Sequence, residues 1–154
     1  MEVFRICRAE YAGSLVSSGS LNRWNLDHEY VIYAASSRSL ATLELIVHSA
    51  HINPSADFRV MVISLPDDSG VITSIGESSL PAGWRKMSAY PFLQRLGSEW
   101  YNKRETVLMK VPSAVIPLES NFVINTEHPD FRDMVKLVRT EDYFWDKRLQ
   151  RTRS

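Results

Sequence analysis

Tyr30-Val31-Ile32-Tyr33-Ala34-Ala35-Ser36-Ser37-Arg38-Ser39-Leu40-Ala41-Thr42-Leu43-Glu44-Leu45-Ile46-Val47-His48 is the stretch on which the reading of the fold turns. Tyr30 to Ala35 is an unbroken β-favouring run, and Ser36-Ser37 then supplies hydroxyls able to cap a helix that starts near Ser39. On that helix Leu40, Leu43 and Val47 share one face. Glu44 follows Leu40 by one helical repeat, so it falls on or beside the same stripe and is directed inward. A carboxylate there must be paired, solvated in a cleft or protonated, because an isolated buried charge is strongly unfavourable.

Working outward, Phe4 to Cys7 reads as a first strand with charges at Arg5 and Arg8, and Gly13 to Asn25, rich in serine and lacking periodicity, as a long surface loop. Phe58 to Leu65 predicts a long strand, and Pro66-Asp67-Asp68-Ser69-Gly70 a turn that leads into Val71 to Ile75 as its hairpin partner. Phe92 to Asn102 places Phe92, Leu93, Leu96 and Trp100 near one helical face, with Gly97 a weak point. Strand signals return at Thr106 to Lys110 and Phe122 to Ile124, on either side of the proline-punctuated Val111 to Pro117. His128-Pro129-Asp130-Phe131 predicts a turn and a short helix, Val135 to Phe144 a last strand, and Lys147 to Ser154 a basic, frayed terminus. Strands interleaved with only two or three helices indicate an α+β fold.

The 154 residues suit one domain, 1–154, able to bury a substantial core. Eighteen Lys and Arg balance eighteen Asp and Glu, so no global field draws nucleic acid or an anionic membrane; an anionic ligand has to be met by a local arginine cluster. Cys7, the single cysteine, has no partner for an intramolecular disulfide and points to a reducing compartment. The start of the chain has no apolar signal core and no run approaches a membrane span, so the expectation is a soluble, cytoplasmic protein.

Phosphate loops, dinucleotide fingerprints, zinc-protease helices and nucleophile elbows are all without a match. Of His28, His48, His51 and His128, the spacing of His48 and His51 could put both on one helical face, but no carboxylate pattern accompanies them and no metal is expected. Arg5, Arg8 and Arg23 lie in segments that could converge, and guanidinium groups grip phosphate oxygens in bidentate fashion; the simpler reading of Arg5 is a strand-face charge and of Arg23 a loop charge, both facing water. Tyr33 on its strand could stack on an aromatic ligand while its hydroxyl bonds a polar group, or simply be core. Ser113, after Pro112, could satisfy nearby backbone or face a cleft. Glu44 needs either a buried arginine partner or a ligand with hydroxyls or developing positive charge.

In order along nearly the whole chain, these segments resemble the RES domain, a family named for its Arg, Glu and Ser positions. The resemblance is carried by Phe4-Arg5-Ile6, Arg23-Trp24-Asn25, Tyr30 to Ala35 with Ser36-Ser37, and Leu40 to Glu44 with His48. It continues through Leu80-Pro81-Ala82-Gly83-Trp84, Gly97-Ser98-Glu99-Trp100, Val111 to Pro117 and Asn125 to Phe131. Ser20-Leu21-Asn22 replaces the glycine-rich form common before the family's arginine.

The resemblance implies a fold like that of ADP-ribosyltransferases and diphtheria-type toxins, with short packed sheets around an NAD cleft. It further implies the toxin of a bacterial toxin–antitoxin pair that depletes NAD by phosphorolysis to nicotinamide and ADP-ribose 1″-phosphate. NAD is then substrate and inorganic phosphate co-substrate, with no resident cofactor. An Xre-like antitoxin would block the cleft, and a homodimer is left open. Carried over, Arg5 and Arg23 match the arginines that hold NAD phosphates or an attacking phosphate, Tyr33 the pocket tyrosine, Glu44 the glutamate and Ser113 the serine. Arg23, Glu44 and Ser113 are thereby the expected catalytic set; Arg5, Arg23, Tyr33 and Ser113 the expected NAD or phosphate contacts. Protein ADP-ribosylation and a non-catalytic NAD or ADP-ribose binding module are the alternatives.

Overall fold

The computed structural model describes residues 1–49, 52–53 and 55–149. His51, and with it the His48/His51 spacing, lies outside the described residues, as does the end of the basic terminus from 150 onward.

The strands are β1 (Glu2–Arg8), β2 (Val31–Ala35), β3 (Phe58–Ser64), β4 (Ile72–Ser74), β5 (Leu108–Pro112), β6 (Ser120–Asn125) and β7 (Lys136–Asp142), and the helices α1 (Arg38–His48), α2 (Tyr90–Lys103) and α3 (Phe131–Met134). The strands form one mixed sheet in the order β4-β5-β6-β2-β1-β3-β7, antiparallel except for β4 against β5. The expected α+β class holds. Among the described residues no helix is long and apolar enough to cross a membrane.

β1 and β2 share a single register pair, Phe4↔Ala35, against seven pairs between β1 and β3 and five between β2 and β6. The sheet is therefore two short halves hinged at one point, and a gap opens between β1 and β2 away from it. Phe4 and Ile6 on β1 pack in the cluster beneath α1 with Leu40 and Ala41, whereas Val3 and Cys7 belong to the core on the other face. Arg5, by the alternation of a strand, lies on the Val3 and Cys7 side.

α1 starts one residue before the expected Ser39, with Ser37 as its N-cap accepting from the Leu40 N–H. Its buried stripe differs from the predicted Leu40, Leu43 and Val47. Leu40 and Ala41 are buried with Leu45 packed beside them, while Val47 is 62% exposed. The helix is rotated so that Glu44 and His48, not Val47, extend the inward face.

The expected hairpin of the 58–65 and 71–75 strands does not form. β3 pairs with β1 and β7, and β4 pairs with β5 at the opposite edge of the sheet. The intervening turn residues form a one-turn 3-10 helix with Asp68 bonded to the Gly70 N–H, so they redirect the chain without reversing it onto its own strand.

The 13–25 segment is less of a surface loop than its composition predicts. Trp24 and Asn25 are buried, and Trp24 packs with Trp84, Leu93 and Trp100 under α2. Gly97 makes that packing possible. A Cβ at this position would sit 1.8 Å from the Trp24 carbonyl oxygen, so the predicted weak point of α2 is the place where the helix touches the loop backbone.

Candidate active site

A cavity of about 360 Å³ fills the gap between the half-sheets. Its walls come from β1 (Phe4, Arg5, Ile6), the preceding loop of β2 (Ser20 to Trp24), β2 itself (Tyr33 to Ala35), α1 (Glu44, His48), Ala114 beyond β5, and Asn121 on β6. Residues from both faces of β1 line it because the missing β1–β2 pairing lets the cavity reach between the strands. Of the predicted arginines, Arg5 and Arg23 line the cavity; Arg8 is exposed and faces Glu10 at 4.0 Å.

Glu44 is the most constrained group in the site. Its Oε1 accepts from Ser113 Oγ at 3.1 Å and from Asn121 Nδ2 at 2.6 Å, and its side chain is 21% exposed. Among the described residues no arginine pairs with it; the basic side chain beside it is His48, whose Nδ1 lies 3.5 Å from Oε2. Neutral donors hold one oxygen and leave the other to the cavity. Hydrogen bonds to a charged group contribute about 1.5–3 kcal/mol each, enough to orient the carboxylate without neutralising it.

Ser113 is placed differently from its expected role as a ligand contact. It is 1% exposed and does not line the cavity. Its hydroxyl accepts from the Val115 and Ile116 N–H groups at 3.1 and 3.0 Å, a serine turn after Pro112 that aims the hydroxyl proton at Glu44. Every bonding capacity of the hydroxyl is used inside the protein, so Ser113 orients the carboxylate and not a phosphate or ribose oxygen.

Arg5 is half-buried and, among the described residues, has no hydrogen-bonding or ion-pair partner. Burial lowers its pKa, with the neighbouring Cys7 opposing the shift, the mark of a guanidinium stripped of part of its water. Arg23 is tethered: Nη1 donates to the Trp84 and Arg85 carbonyls at 3.2 and 3.1 Å, and the guanidinium lies 4.7 Å above the Tyr90 ring. Its Nε and Nη2 have no hydrogen-bond partner among the described residues, and the residue lines the cavity.

The Tyr33 ring lines the cavity, but its hydroxyl is spoken for. It donates to Asn25 Oδ1 at 2.7 Å and accepts from the Trp24 N–H at 3.1 Å. Burial drives its pKa upward, partly offset by the Trp24 hydrogen bond. Tyr33 thus offers an aromatic wall and holds the segment that carries Arg23; it does not present a hydroxyl to a ligand. Asn25 in turn donates to the Ser20 and Leu26 carbonyls, and Gln94 on α2 donates to that of Asn22, so the arginine loop is fastened from three sides.

Asn121 and His48 line the cavity on the Glu44 side and were not among the predicted catalytic or ligand-contact residues. Asn121 precedes the buried run of β6, and its polarity on the same face as Val123 was the available signal. His48 stands one helical repeat beyond Glu44, a spacing that by itself places the two side chains together.

The sequence profile of the RES domain matches residues 2–146. The chain belongs to the RES domain family. This RES domain is 30% identical over 153 residues to a protein named Toxin Res from Photorhabdus laumondii, covering 97% of each chain. It is 34% identical over 143 residues to a Sphingobium protein named Prs ADP-ribosylating toxin, covering 91% of this chain and 85% of the relative. The fold of the RES domain is shared with a chain of the Mycobacterium tuberculosis MbcT–MbcA toxin–antitoxin complex, at a TM-score of 0.69 and 17% identity over 92% of this chain and 83% of that one. The ADP-ribosyltransferase-like architecture expected from the family resemblance is in accord with the likeness to the relative named ADP-ribosylating toxin.

Proposed function

We propose that this RES domain is the toxin of a toxin–antitoxin pair that cleaves the nicotinamide–ribose bond of NAD in the cytoplasm, with inorganic phosphate as the acceptor. The observation that carries this reading is one cavity holding an unpaired, half-buried guanidinium, Arg5, together with an oriented carboxylate, Glu44. A half-buried cation without a counter-ion calls for an anion, and a carboxylate held on one oxygen by neutral donors leaves the other open to a developing cation.

In the proposed reaction Arg5 and the free N–H groups of Arg23 bind phosphate oxygens, and the Tyr33 ring forms the wall against the nicotinamide or its ribose. The free Oε2 of Glu44 accepts from a ribose hydroxyl and stabilises the oxocarbenium-like centre as nicotinamide leaves. The C1″–N bond breaks with its electron pair passing to the ring nitrogen, so the cationic ring departs as neutral nicotinamide and no strong general acid is required. A phosphate oxygen forms the new bond to C1″. Ser113 and Asn121 hold Glu44 in place throughout.

Phosphorus NMR of the protein with NAD, with and without phosphate, tests the reading: ADP-ribose 1″-phosphate is expected only when phosphate is present. No consumption of NAD in either buffer would falsify it. The likeness to the protein named ADP-ribosylating toxin favours a second reading, transfer to a protein side chain, for which label from NAD would pass to protein in a lysate. The likeness to a chain of a toxin–antitoxin complex supports an antitoxin partner.

A further inference from the structure

We infer that His48 is the proton acceptor for the attacking nucleophile, an assignment that rests on the NAD-cleaving reading above. His48 is the last residue of α1, lines the cavity, and its side chain is 42% exposed. Its Nδ1 lies 2.9 Å from the Glu44 backbone carbonyl oxygen. A carbonyl can only accept, so the hydrogen is on Nδ1 and the lone pair of the neutral ring is on Nε2. Nε2 has no hydrogen-bond partner among the described residues, and the side chain that carries it is exposed.

The other ionisable groups lining the cavity cannot serve. Arg5 on β1 and Arg23 on the loop carry permanent charge, and the Tyr33 hydroxyl on β2 is committed to Asn25 and Trp24. Glu44 on α1 has one oxygen held by Ser113 and Asn121 and the other turned to the reacting ribose. This leaves His48 Nε2 as the uncommitted neutral base among the described cavity residues. Glu44 Oε2, 3.5 Å from Nδ1, stands where it stabilises the imidazolium that forms, the arrangement of carboxylate, imidazole and nucleophile that recurs in acyl-transfer enzymes.

The step balances without another reactant. The oxygen of water or of a phosphate monoanion forms a bond to C1″, the C1″–N electron pair leaves with neutral nicotinamide, and the O–H proton passes to Nε2. The half-exposed imidazolium then returns the proton to solvent. A phosphate dianion brings an oxygen that needs no deprotonation, so dependence on His48 should be steepest when water is the nucleophile.

His48→Asn keeps a donor at the Nδ1 position and removes the base at Nε2. Expected is a fall of at least about tenfold in kcat for ADP-ribose formation in phosphate-free buffer, with KM for NAD unchanged and a smaller fall in alkaline phosphate. Free imidazole should restore turnover to His48→Ala through the open mouth of the cavity. Wild-type rates in His48→Asn, or a loss in His48→Ala that imidazole does not restore, overturn the assignment while leaving NAD cleavage standing. Wild-type protein inert toward NAD removes both.

Discussion

Ser113 Oγ donates to Glu44 Oε1 across 3.1 Å, tying the turn after β5 to the middle of α1 over 69 positions of sequence. The bond turns two residues that resemble separate elements of a catalytic set into one unit. Ser113→Ala should therefore lower NAD turnover at least about tenfold while KM changes little, since a misplaced carboxylate acts on the transition state. Stability should fall by about 1–3 kcal/mol, because two backbone N–H groups lose their acceptor. Steady-state kinetics with urea unfolding measures both, and intact turnover would sink the positioning role.

Asn121 shares the same carboxylate oxygen, so its removal should not add to that of Ser113. In a double-mutant cycle of Ser113→Ala and Asn121→Ala, the combined loss of kcat should be well below the product of the single losses. Independent, multiplying effects would show that the two residues serve different purposes.

Gly97→Ala would place a methyl 1.8 Å from the Trp24 carbonyl oxygen. α2 must then move away from the loop, at a cost of about 1–3 kcal/mol or more. Because Gln94 and the Arg23 tether move with that interface, turnover should drop further than the melting temperature alone explains. A Gly97→Ala protein with unchanged stability would contradict the close approach.

Tyr33→Phe tests whether the hydroxyl matters to the ligand or to the loop. Losing its bonds to Trp24 and Asn25 should destabilise the protein by about 1–2 kcal/mol and raise KM through the Arg23 loop. The ionisation carries a sign: burial raises the folded-state pKa above the usual tyrosine value. Stability from the neutral hydroxyl is thus fully present below about pH 10, the ordinary value, and is lost as pH rises through the folded value. Alkaline titration followed by ultraviolet absorbance should show Tyr33 ionising above the ordinary tyrosine value, or only on unfolding.

Arg5→Met removes a half-buried cation that has no protein partner among the described residues. A structural arginine would lower the melting temperature when lost; here it should stay level or rise. Phosphate should stabilise the wild-type protein and fail to stabilise Arg5→Met, as ligand linkage requires. Equal phosphate stabilisation of both proteins would move the anion site elsewhere.

Much of the site was legible because its signals are local. The β-favouring run into a serine cap and an amphipathic helix placed β2 and the start of α1 within about a residue of where they are observed, and Glu44 stood out against the leucines beside it. Arg5, Arg23, Tyr33 and Glu44 do share one cavity. The face of α1 was misjudged because Leu43 and Val47 are apolar but half-buried and exposed, and hydrophobicity alone does not reveal which neighbour a helix meets. Ser113 looked like a ligand contact because a hydroxyl after a proline reads the same whether it faces a cleft or a carboxylate.

By itself the amino-acid order determined the α+β elements, the absence of a global charge field and the odd carboxylate on an apolar face, all of which follow from periodicity and from the chemistry of single residues. Tertiary structure alone decided that β3 pairs with β1 and β7 and not with β4, and that β1 and β2 meet at one pair and part to form a cavity. It also decided that Ser113 and Asn121 hold Glu44. A strand's alternation sets which side chains share a face but not which strand lies beside it. That choice comes from contacts between distant segments, where packing energy is set against the entropy of closing the chain between them.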